Sequence, residues 1–195
     1  MNWMKPGGLA AALALTLAAC GAEADVTETP ETQDRSDDAM SEVIGDAGSL
    51  STVNAALEST GLDGVLEGDA AYTLFAPTDT AFDALGDDGK ALIADKERGA
   101  IVAAILREHM VPGALTPDAI KEAIKANGGE VVMSSFGAGD LTFAMDGDAV
   151  KVTNAAGQSA RLTGGASVAK NGVAIPIDAV LADPAALQGS DAPAQ

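Results

Sequence analysis

His109 is the one side chain suited to acid–base chemistry near neutral pH, because the sequence contains a single histidine. A nucleophilic triad would need Ser134 or Ser135 beside His109 and an aspartate, yet no Gly-x-Ser-x-Gly sequence marks either serine. On a helix, Ile105 lies one turn before His109 on the same apolar stripe. We therefore interpret His109 as a structural residue at the edge of the core that donates to a backbone carbonyl. No catalytic residue and no enzyme activity are predicted.

Metal and cofactor sites are not indicated either. One histidine and one cysteine rule out a thiolate zinc cage and any site that needs two imidazoles. Asp146-Gly147-Asp148 has the look of a calcium loop, but the twelfth position holds Gly157 where an EF-hand loop has glutamate. A tight turn explains the Asp-Gly pair. We predict neither a metal nor a cofactor.

The charge balance excludes nucleic acid as a partner. The 195 residues include 11 Lys and Arg against 29 Asp and Glu, a formal net charge of −18, and 3% are aromatic. Such a chain is repelled by phosphate backbones and offers few rings for stacking on bases. Hydrophobic residues make up 47% of the chain, which is enough for a core. We expect an acidic globular domain.

Residues 1–19 are interpreted as a lipoprotein signal peptide. Their apolar stretch, residues 9–17, is too short to span a bilayer. Residues 17–20 (LAAC) resemble the lipobox of bacterial lipoproteins, in which the cysteine thiol is acylated. The alternative is an ordinary signal peptide cut after an Ala-x-Ala-like site, with Cys20 incidental. The resemblance implies an extracytoplasmic protein, lipid-anchored to the cell envelope through Cys20. The outer membrane is favoured, since Gly21 differs from the aspartate that retains such proteins at the inner membrane.

Acidic sequence follows the cysteine. Residues 21–46 contain nine acids, one arginine and no aromatic residue, a composition that buries too little apolar surface to order a chain. We predict a lipidated cysteine and a disordered tether over residues 20–40, a folded domain over 41–183 and a disordered tail over 184–195. A solvated acidic helix is the alternative for the tether.

The elements that must position these residues change character along the domain. Helical spacing in the first half predicts a helix from residue 50 with Ser49 as a possible N-cap, a buried strand over 72–76, a helix capped by Thr78, and helices over 99–110 and 116–127. Strand patterns follow, with a hairpin at Asp146-Gly147 and a tight turn at Asn171-Gly172. Helices followed by strands indicate an α+β fold.

Three blocks of the sequence, in order and register, resemble the fasciclin-like domain family: residues 73–82 (TLFAPTDTAF), 105–113 (ILREHMVPG) and 171–181 (NGVAIPIDAVL). The resemblance covers about residues 40 to 183. It implies one compact α+β domain, a β-wedge with helices packed around it. It also implies a structural or interaction role for the motif residues. These are Leu74, Phe75, Ala76, Pro77, Thr78, Asp79, Phe82, His109, Pro112, Gly113, Asn171, Gly172 and Asp178.

Two departures from the family pattern bear on function. Glu108 stands where the family usually has a tyrosine before the histidine, a region associated with adhesion in animal members. Pro176 lies in the closing motif, and since proline cannot donate to a sheet ladder, we expect an edge position or a bulge there. We interpret Asp79 as a helix N-terminal acid that accepts backbone N–H groups, with direct contact to a partner as the alternative.

The function predicted from these features is a non-enzymatic, membrane-anchored adhesion or interaction module of the cell envelope, with a protein or polysaccharide partner. A basic or cation-bridged partner fits the acidic domain. The alternative, implied by fasciclin-like proteins of photosynthetic organisms, is a carrier of an apolar small molecule such as a carotenoid. Phe136 and Phe143, near loop-rich strands, are the residues expected to line its groove.

Overall fold

A computed structural model of the chain describes residues 36–137 and 139–182. The predicted signal peptide, Cys20, most of the tether and the tail lie outside these residues. The helices within them are α1 Met40–Asp46, α2 Ser51–Thr60, α3 Asp63–Leu66, α4 Asp79–Asp83, α5 Gly86–Ala94, α6 Gly99–Glu108 and α7 Pro117–Ala126, with a 3₁₀ turn at Lys96–Arg98. Within the same ranges, no helix is both long enough and apolar enough to cross a membrane.

Strands of the described chain form two four-stranded sheets. They are β1 Tyr72–Pro77, β2 Met110–Pro112, β3 Glu130–Ser134, β4 Asp140–Asp146, β5 Ala149–Asn154, β6 Ser159–Arg161, β7 Ser167–Ala169 and β8 Gly172–Ile177. The first sheet has the order β2-β1-β8-β7 and the second β3-β4-β5-β6, with an isolated bridge between Leu162 and Ile177 joining them. The predicted α+β class, one domain with sheets and packed helices, is confirmed.

Buried apolar residues lie on both faces of β1. Leu74 belongs to a cluster shared with α1, α2 and α6. Phe75, the next residue, points the other way into a cluster between the two sheets and α7. There its ring centroid lies 5.0 Å from that of Phe143. A strand covered on both faces explains why this segment of the sequence is a continuous apolar run.

Local signals in the sequence set several element ends as predicted. The hydroxyl of Thr78 accepts the N–H of Ala81 at the start of α4, and that of Thr116 accepts the N–H of Ala119 at the start of α7. Gly147, with φ of 64°, turns the hairpin between β4 and β5. These contacts span three residues or fewer, which is why the sequence reveals them.

The helix predicted over residues 99–110 ends earlier, at Glu108. Met110–Pro112 forms β2 instead, antiparallel to β1 with Met110 opposite Leu74. The correction has a physical reason: β1 would otherwise expose unpaired backbone groups along one side, and β2 covers them. An apolar run serves a helix and a strand equally well, so the sequence pattern did not separate them.

Pro176 lies in β8, which has β1 on one side and β7 on the other, so the predicted position in an edge strand is wrong. Tyr72 N–H donates to Asn171 O and Thr78 N–H donates to Ile177 O, which places the odd-numbered residues of β8 toward β1. The backbone of Pro176 therefore faces the side of β7. The pairing of β7 with β8 ends at Ala174, so Pro176 lies past the end of that ladder. Its carbonyl accepts the N–H of Thr163 at 2.8 Å, and its missing N–H leaves no gap in the ladder.

The ordered domain begins before residue 41, which corrects the predicted boundary of the tether. Ser36 N–H donates to Val168 O, and Lys170 N–H donates to Asp38 O. Met40 is fully buried at the start of α1. The acidic composition hid this segment because its order comes from pairing with residues about 130 positions later, and not from local propensity.

Candidate functional site

Asp79 joins the first motif to helix α2. Its carboxylate accepts the N–H of Thr52 at 2.8 Å and the hydroxyl of Ser51 at 2.8 Å, while its own N–H donates to Ser49 O. The N-cap of α2 is therefore supplied from another element, and the predicted cap by the Ser49 side chain is corrected. Partial burial alone would raise the pKa of Asp79, but the hydrogen bonds from Thr52 and Ser51 together hold it below its usual value of 3.8.

Replacing Asp79 with alanine is expected to lower the free energy of unfolding by about 1–2 kcal/mol, because the first turn of α2 loses its cap. Urea denaturation at pH 7 measures this. Asp118→Ala is the matched control: it removes an exposed first-turn acid of α7 whose ion pair with Lys121 is 3.6 Å long, and we expect a change below about 0.5 kcal/mol. Equal losses in the two variants would contradict the capping role.

His109 is fully buried, deeper than the core edge predicted for it. Its Nδ1–H donates to Ile105 O at 2.8 Å, and Nε2 accepts the N–H of Leu181 at 2.9 Å. Burial among apolar side chains such as Phe82 and Val180 lowers its pKa to about 4, although the bond to Ile105 acts in the opposite direction. Both ring nitrogens are therefore committed to the backbone, in the neutral tautomer protonated at Nδ1.

Asn171 ties the closing motif to the first helices. Its Oδ1 accepts the N–H of Met40 at 2.9 Å, and its Nδ2 donates to Leu66 O at 2.5 Å and to Gly68 O at 2.7 Å. The side chain is 5% exposed. Tyr72 O lies so close to Gly172 that a Cβ there would overlap it. Both residues of the predicted Asn-Gly turn thus have structural roles beyond the turn.

The remaining motif residues also bond within the domain. Thr73 Oγ1 donates to Gly113 O at 2.6 Å, and Gly113 adopts φ of 92° just after Pro112 ends β2. Asp178 accepts the N–H of Arg161 at 2.7 Å and returns its own N–H to Arg161 O. The apolar motif residues Leu74, Phe75 and Ala76 of β1 are fully buried like Thr73, and Phe82 is nearly so. Pro77 ends that strand.

The serines considered as nucleophiles have other partners. Ser134 Oγ donates to Asp140 Oδ1 at 2.8 Å, and Ser135 Oγ donates to Gly139 O at 2.7 Å. Neither bonds to His109, whose ring nitrogens are already bonded. The structure therefore does not assemble the triad that the residue types allowed.

The predicted Asp146-Gly147 turn holds an ion pair. Arg161 donates to Asp146 Oδ2 through Nε at 2.8 Å and through Nη2 at 2.6 Å, and the pKa of Asp146 is lowered by this hydrogen-bonded contact. In the described part of the chain, no three His, Cys, Asp or Glu side chains are grouped so as to hold a metal ion.

Phe136 and Phe143 do not share a groove. Phe143 is fully buried against Phe75 in the core, which corrects its predicted place in a ligand groove. Phe136 is 44% exposed and contacts the ring of Tyr72 edge-on, with centroids 5.3 Å apart. Only Phe136 of the two predicted residues is presented to solvent.

A groove of about 300 Å³ lies between α6 and one end of the second sheet. One wall is formed by Ile101, Ala104, Ile105 and Glu108 of α6, of which Ile101 and Ile105 also pack against the core. The other wall comes from the β3–β4 loop and the β5–β6 turn and includes Ser135, Asp140, Leu141, Asn154, Ala155 and Ala156. The sequence signal for this groove is the run of uncharged residues over 99–106 of α6, which does not by itself distinguish a groove wall from the core.

A second, wider depression of about 500 Å³ lies along α1, α2 and α3. It is lined by the carboxylates of Asp38, Glu42, Asp46, Glu58, Asp63 and Glu67, with no basic residue among its lining residues. This depression is therefore a strongly acidic concave surface.

Comparisons with known proteins agree on one family. The fasciclin domain profile matches residues 48–183. Protein sll1483 of Synechocystis sp. is 34% identical over 168 residues, which cover 84% of this chain and 86% of that protein. The solved structure of a FAS1 domain pair from the insect cell adhesion molecule fasciclin I is similar with a TM-score of 0.68 at 12% identity. The match covers 78% of this chain and 53% of the insect chain, so this chain spans about half of that pair.

Proposed function

The chain belongs to the fasciclin domain family, and from this we propose that it is a non-enzymatic adhesion or interaction module displayed on the cell envelope. The family is one of cell-adhesion and interaction modules. The observation that carries the proposal is that the polar motif side chains bond within the domain. Asp79, His109 and Asn171 all form hydrogen bonds to its backbone groups. The motifs build a scaffold, and the exposed surface is what remains for a partner.

The acidic depression along α1, α2 and α3 supports a basic or cation-bridged partner. Its carboxylates form one continuous concave surface, on a chain whose formal net charge is −18. Surfaces of one sign steer partners of the opposite sign and raise their association rate. We propose that the partner is a protein or polysaccharide that presents cationic groups to this surface or binds it through shared divalent cations.

Anchoring through Cys20 is the second part of the proposal. Its support is the LAAC sequence at residues 17–20 and the acidic stretch after it. Acyl chains contribute about 0.8 kcal/mol per buried CH₂, so two or more chains hold a protein on a membrane without a spanning helix. The outer membrane is the proposed location.

The test is a cell-adhesion assay on a deletion strain. Restoring the wild-type gene should restore attachment, whereas Cys20→Ala should leave the protein unacylated and adhesion at the level of the deletion strain. Intact mass of the membrane fraction verifies acylation in the same cells. A variant with Glu42→Gln, Asp46→Asn and Glu58→Gln should stay anchored and lose most attachment. Unchanged adhesion on deletion would overturn the proposal.

The carrier of an apolar small molecule such as a carotenoid is the second candidate. The groove at α6 favours it, because Ile101, Ile105 and Leu141 give it apolar walls. Protein purified from its native membrane without detergent exchange should then absorb visible light. A colourless preparation whose mass does not change on solvent extraction would rule out the carrier. The adhesion module would then be the remaining candidate of the two.

A further inference from the structure

We propose that two copies of this chain pair through strand β3, so that their second sheets join edge to edge. This self-association is separate from the acidic depression and stands whether or not the domain mediates adhesion. Three observations support it: the other sheet edges are covered, β3 is open and carries an exposed valine, and the register of a twofold pair suits the residues of β3.

Three of the four sheet edges in the described chain are short and already covered. The edge strands β2, β6 and β7 have three residues each. Residues 36–38 bond to the backbone at and just after β7. Both backbone groups of Arg161 in β6 bond to Asp178, and the N–H of Phe136 donates to Met110 O in β2. These edges therefore offer little to another strand.

The fourth edge is β3, which is five residues long and open. Ser135 N–H donates to Gly139 O, which places the odd-numbered residues of β3 toward β4 and the even-numbered residues toward the open side. Within the described residues, nothing bonds to the outward backbone groups of Glu130, Val132 and Ser134. β3 contains neither lysine nor proline, and its register with β4 has no bulge. It thus lacks the usual features that prevent an edge from pairing.

An exposed apolar side chain lies at the middle of this open edge. Val132 is 56% exposed, more than any other large hydrophobic side chain in the described chain. Open backbone groups alone can bond to water, but a strand added at β3 would also cover this valine. Main-chain hydrogen bonds and cross-strand side-chain contacts are the two sources of affinity in strand addition.

A second copy fits this edge because the register about a twofold axis is self-complementary. In an antiparallel pair centred on Val132, this valine lies opposite its counterpart and Glu130 lies opposite Ser134 of the second copy. All three outward residues of each copy then pair with outward residues of the other. The two Glu130 carboxylates do not lie opposite each other, which would be unfavourable in a chain of net charge −18.

Other twofold registers are poorer. An axis at Val131 or Met133 leaves one outward residue of β3 without a strand residue opposite and sets Val132 against a polar side chain. The centred pair is also closed, because it uses the open edge of both copies. Association should therefore stop at the dimer.

The test uses residues 21–195, which include every described residue and lack Cys20, so acyl chains cannot bring copies together. Sedimentation velocity at pH 7, from about 10 µM to 1 mM, should show a shift from monomer to dimer and no larger species. Two short edges make a small interface, so we expect a Kd of about 0.1 mM. Raising NaCl from 50 to 500 mM should tighten the dimer at least twofold, because it screens repulsion between the acidic copies.

Amide hydrogen exchange by NMR locates the contact. The N–H groups of Val131 and Met133 face β4 and should be protected at every protein concentration. The N–H of Val132 faces outward and should exchange at least twofold more slowly at 1 mM than at 50 µM.

Three variants separate this contact from any other. Val132→Pro removes an outward N–H and no bond to β4, so it should weaken the dimer at least tenfold while the fold remains. Val132→Lys sets like charges opposite each other and should also weaken the dimer at least tenfold. Val65→Lys makes the same change at a valine of α3 that is 42% exposed and should leave the Kd within twofold of wild type.

A protein that stays monomeric at 1 mM would overturn the proposal and would favour an extended segment of another protein as the strand that pairs with β3. A dimer unaffected by Val132→Pro and Val132→Lys would also overturn it, because the contact would then lie elsewhere. Equal weakening by Val65→Lys would show an effect of charge alone and contradict it as well. Protection of the Val131 and Met133 amides shows whether each variant is folded, and Val132→Lys keeps the test decisive if Val132→Pro unfolds the domain.

Discussion

Asn171→Ala is expected to destabilise the domain by about 3–4 kcal/mol, because one side chain satisfies three backbone groups. The alanine variant leaves the Met40 N–H without its acceptor and the carbonyls of Leu66 and Gly68 without their donor. Each buried group left unsatisfied costs about 1–3 kcal/mol. With a urea m-value of about 2 kcal/mol/M, the unfolding midpoint should fall by roughly 1.5–2 M.

Two variants sharpen this result. Asn127→Ala removes a carboxamide at the exposed end of α7, where it donates to Ala123 O, and should cost less than about 1 kcal/mol. Asn171→Asp keeps an acceptor for Met40 but sets a carboxylate against two carbonyl oxygens, so it should destabilise as much as alanine. A stable Asn171→Asp protein would show that the two donated bonds contribute little.

His109 should make the domain lose stability as the pH falls below 6.5. Its pKa is lowered from 6.5 to about 4 in the folded state, so the unfolded chain takes up its proton first. The contribution is fully present above pH 6.5 and is lost as the pH falls through the folded pKa. The loss is about 2 kcal/mol at pH 5 and about 3 kcal/mol at pH 4.

The control for this prediction is His109→Gln, which carries no titratable group. Its stability should be lower at pH 7, and it should lose the part of the pH dependence between pH 7 and pH 5 that comes from the imidazole. Parallel profiles for the two proteins in that window would rule out the histidine as the cause. NMR of the wild-type imidazole gives an independent check, since its signals should not titrate above about pH 5.

The sequence revealed those parts of the fold that depend on near neighbours. Thr78 and Thr116 cap helices through residues three positions away, and Gly147 turns a hairpin between adjacent strands. The three motif blocks identified the family and with it the overall arrangement. The caps and the hairpin turn can be predicted from the sequence because the residues that interact lie within a few positions of each other.

The parts that sequence patterns missed depend on distant partners. Residues 36–40 bond to Val168, Lys170 and Asn171, and α2 is capped from Asp79. Glu108 and Asp140 line the same groove although they are about 30 residues apart in sequence. Neither composition nor periodicity contains such pairings, so the candidate site was not predictable from this one chain.

The parallel pairing of β1 with β8 constrains the order of folding. Tyr72 lies opposite Gly172, so the first sheet cannot form completely until β8, the last strand in the sequence, pairs with β1. Closing so long a loop is entropically costly and slows folding. A chain emerging from a ribosome or a membrane channel N-terminus first would therefore remain open until residue 177 has passed. Any truncation before β8 should yield a protease-sensitive polypeptide, whatever its helix content.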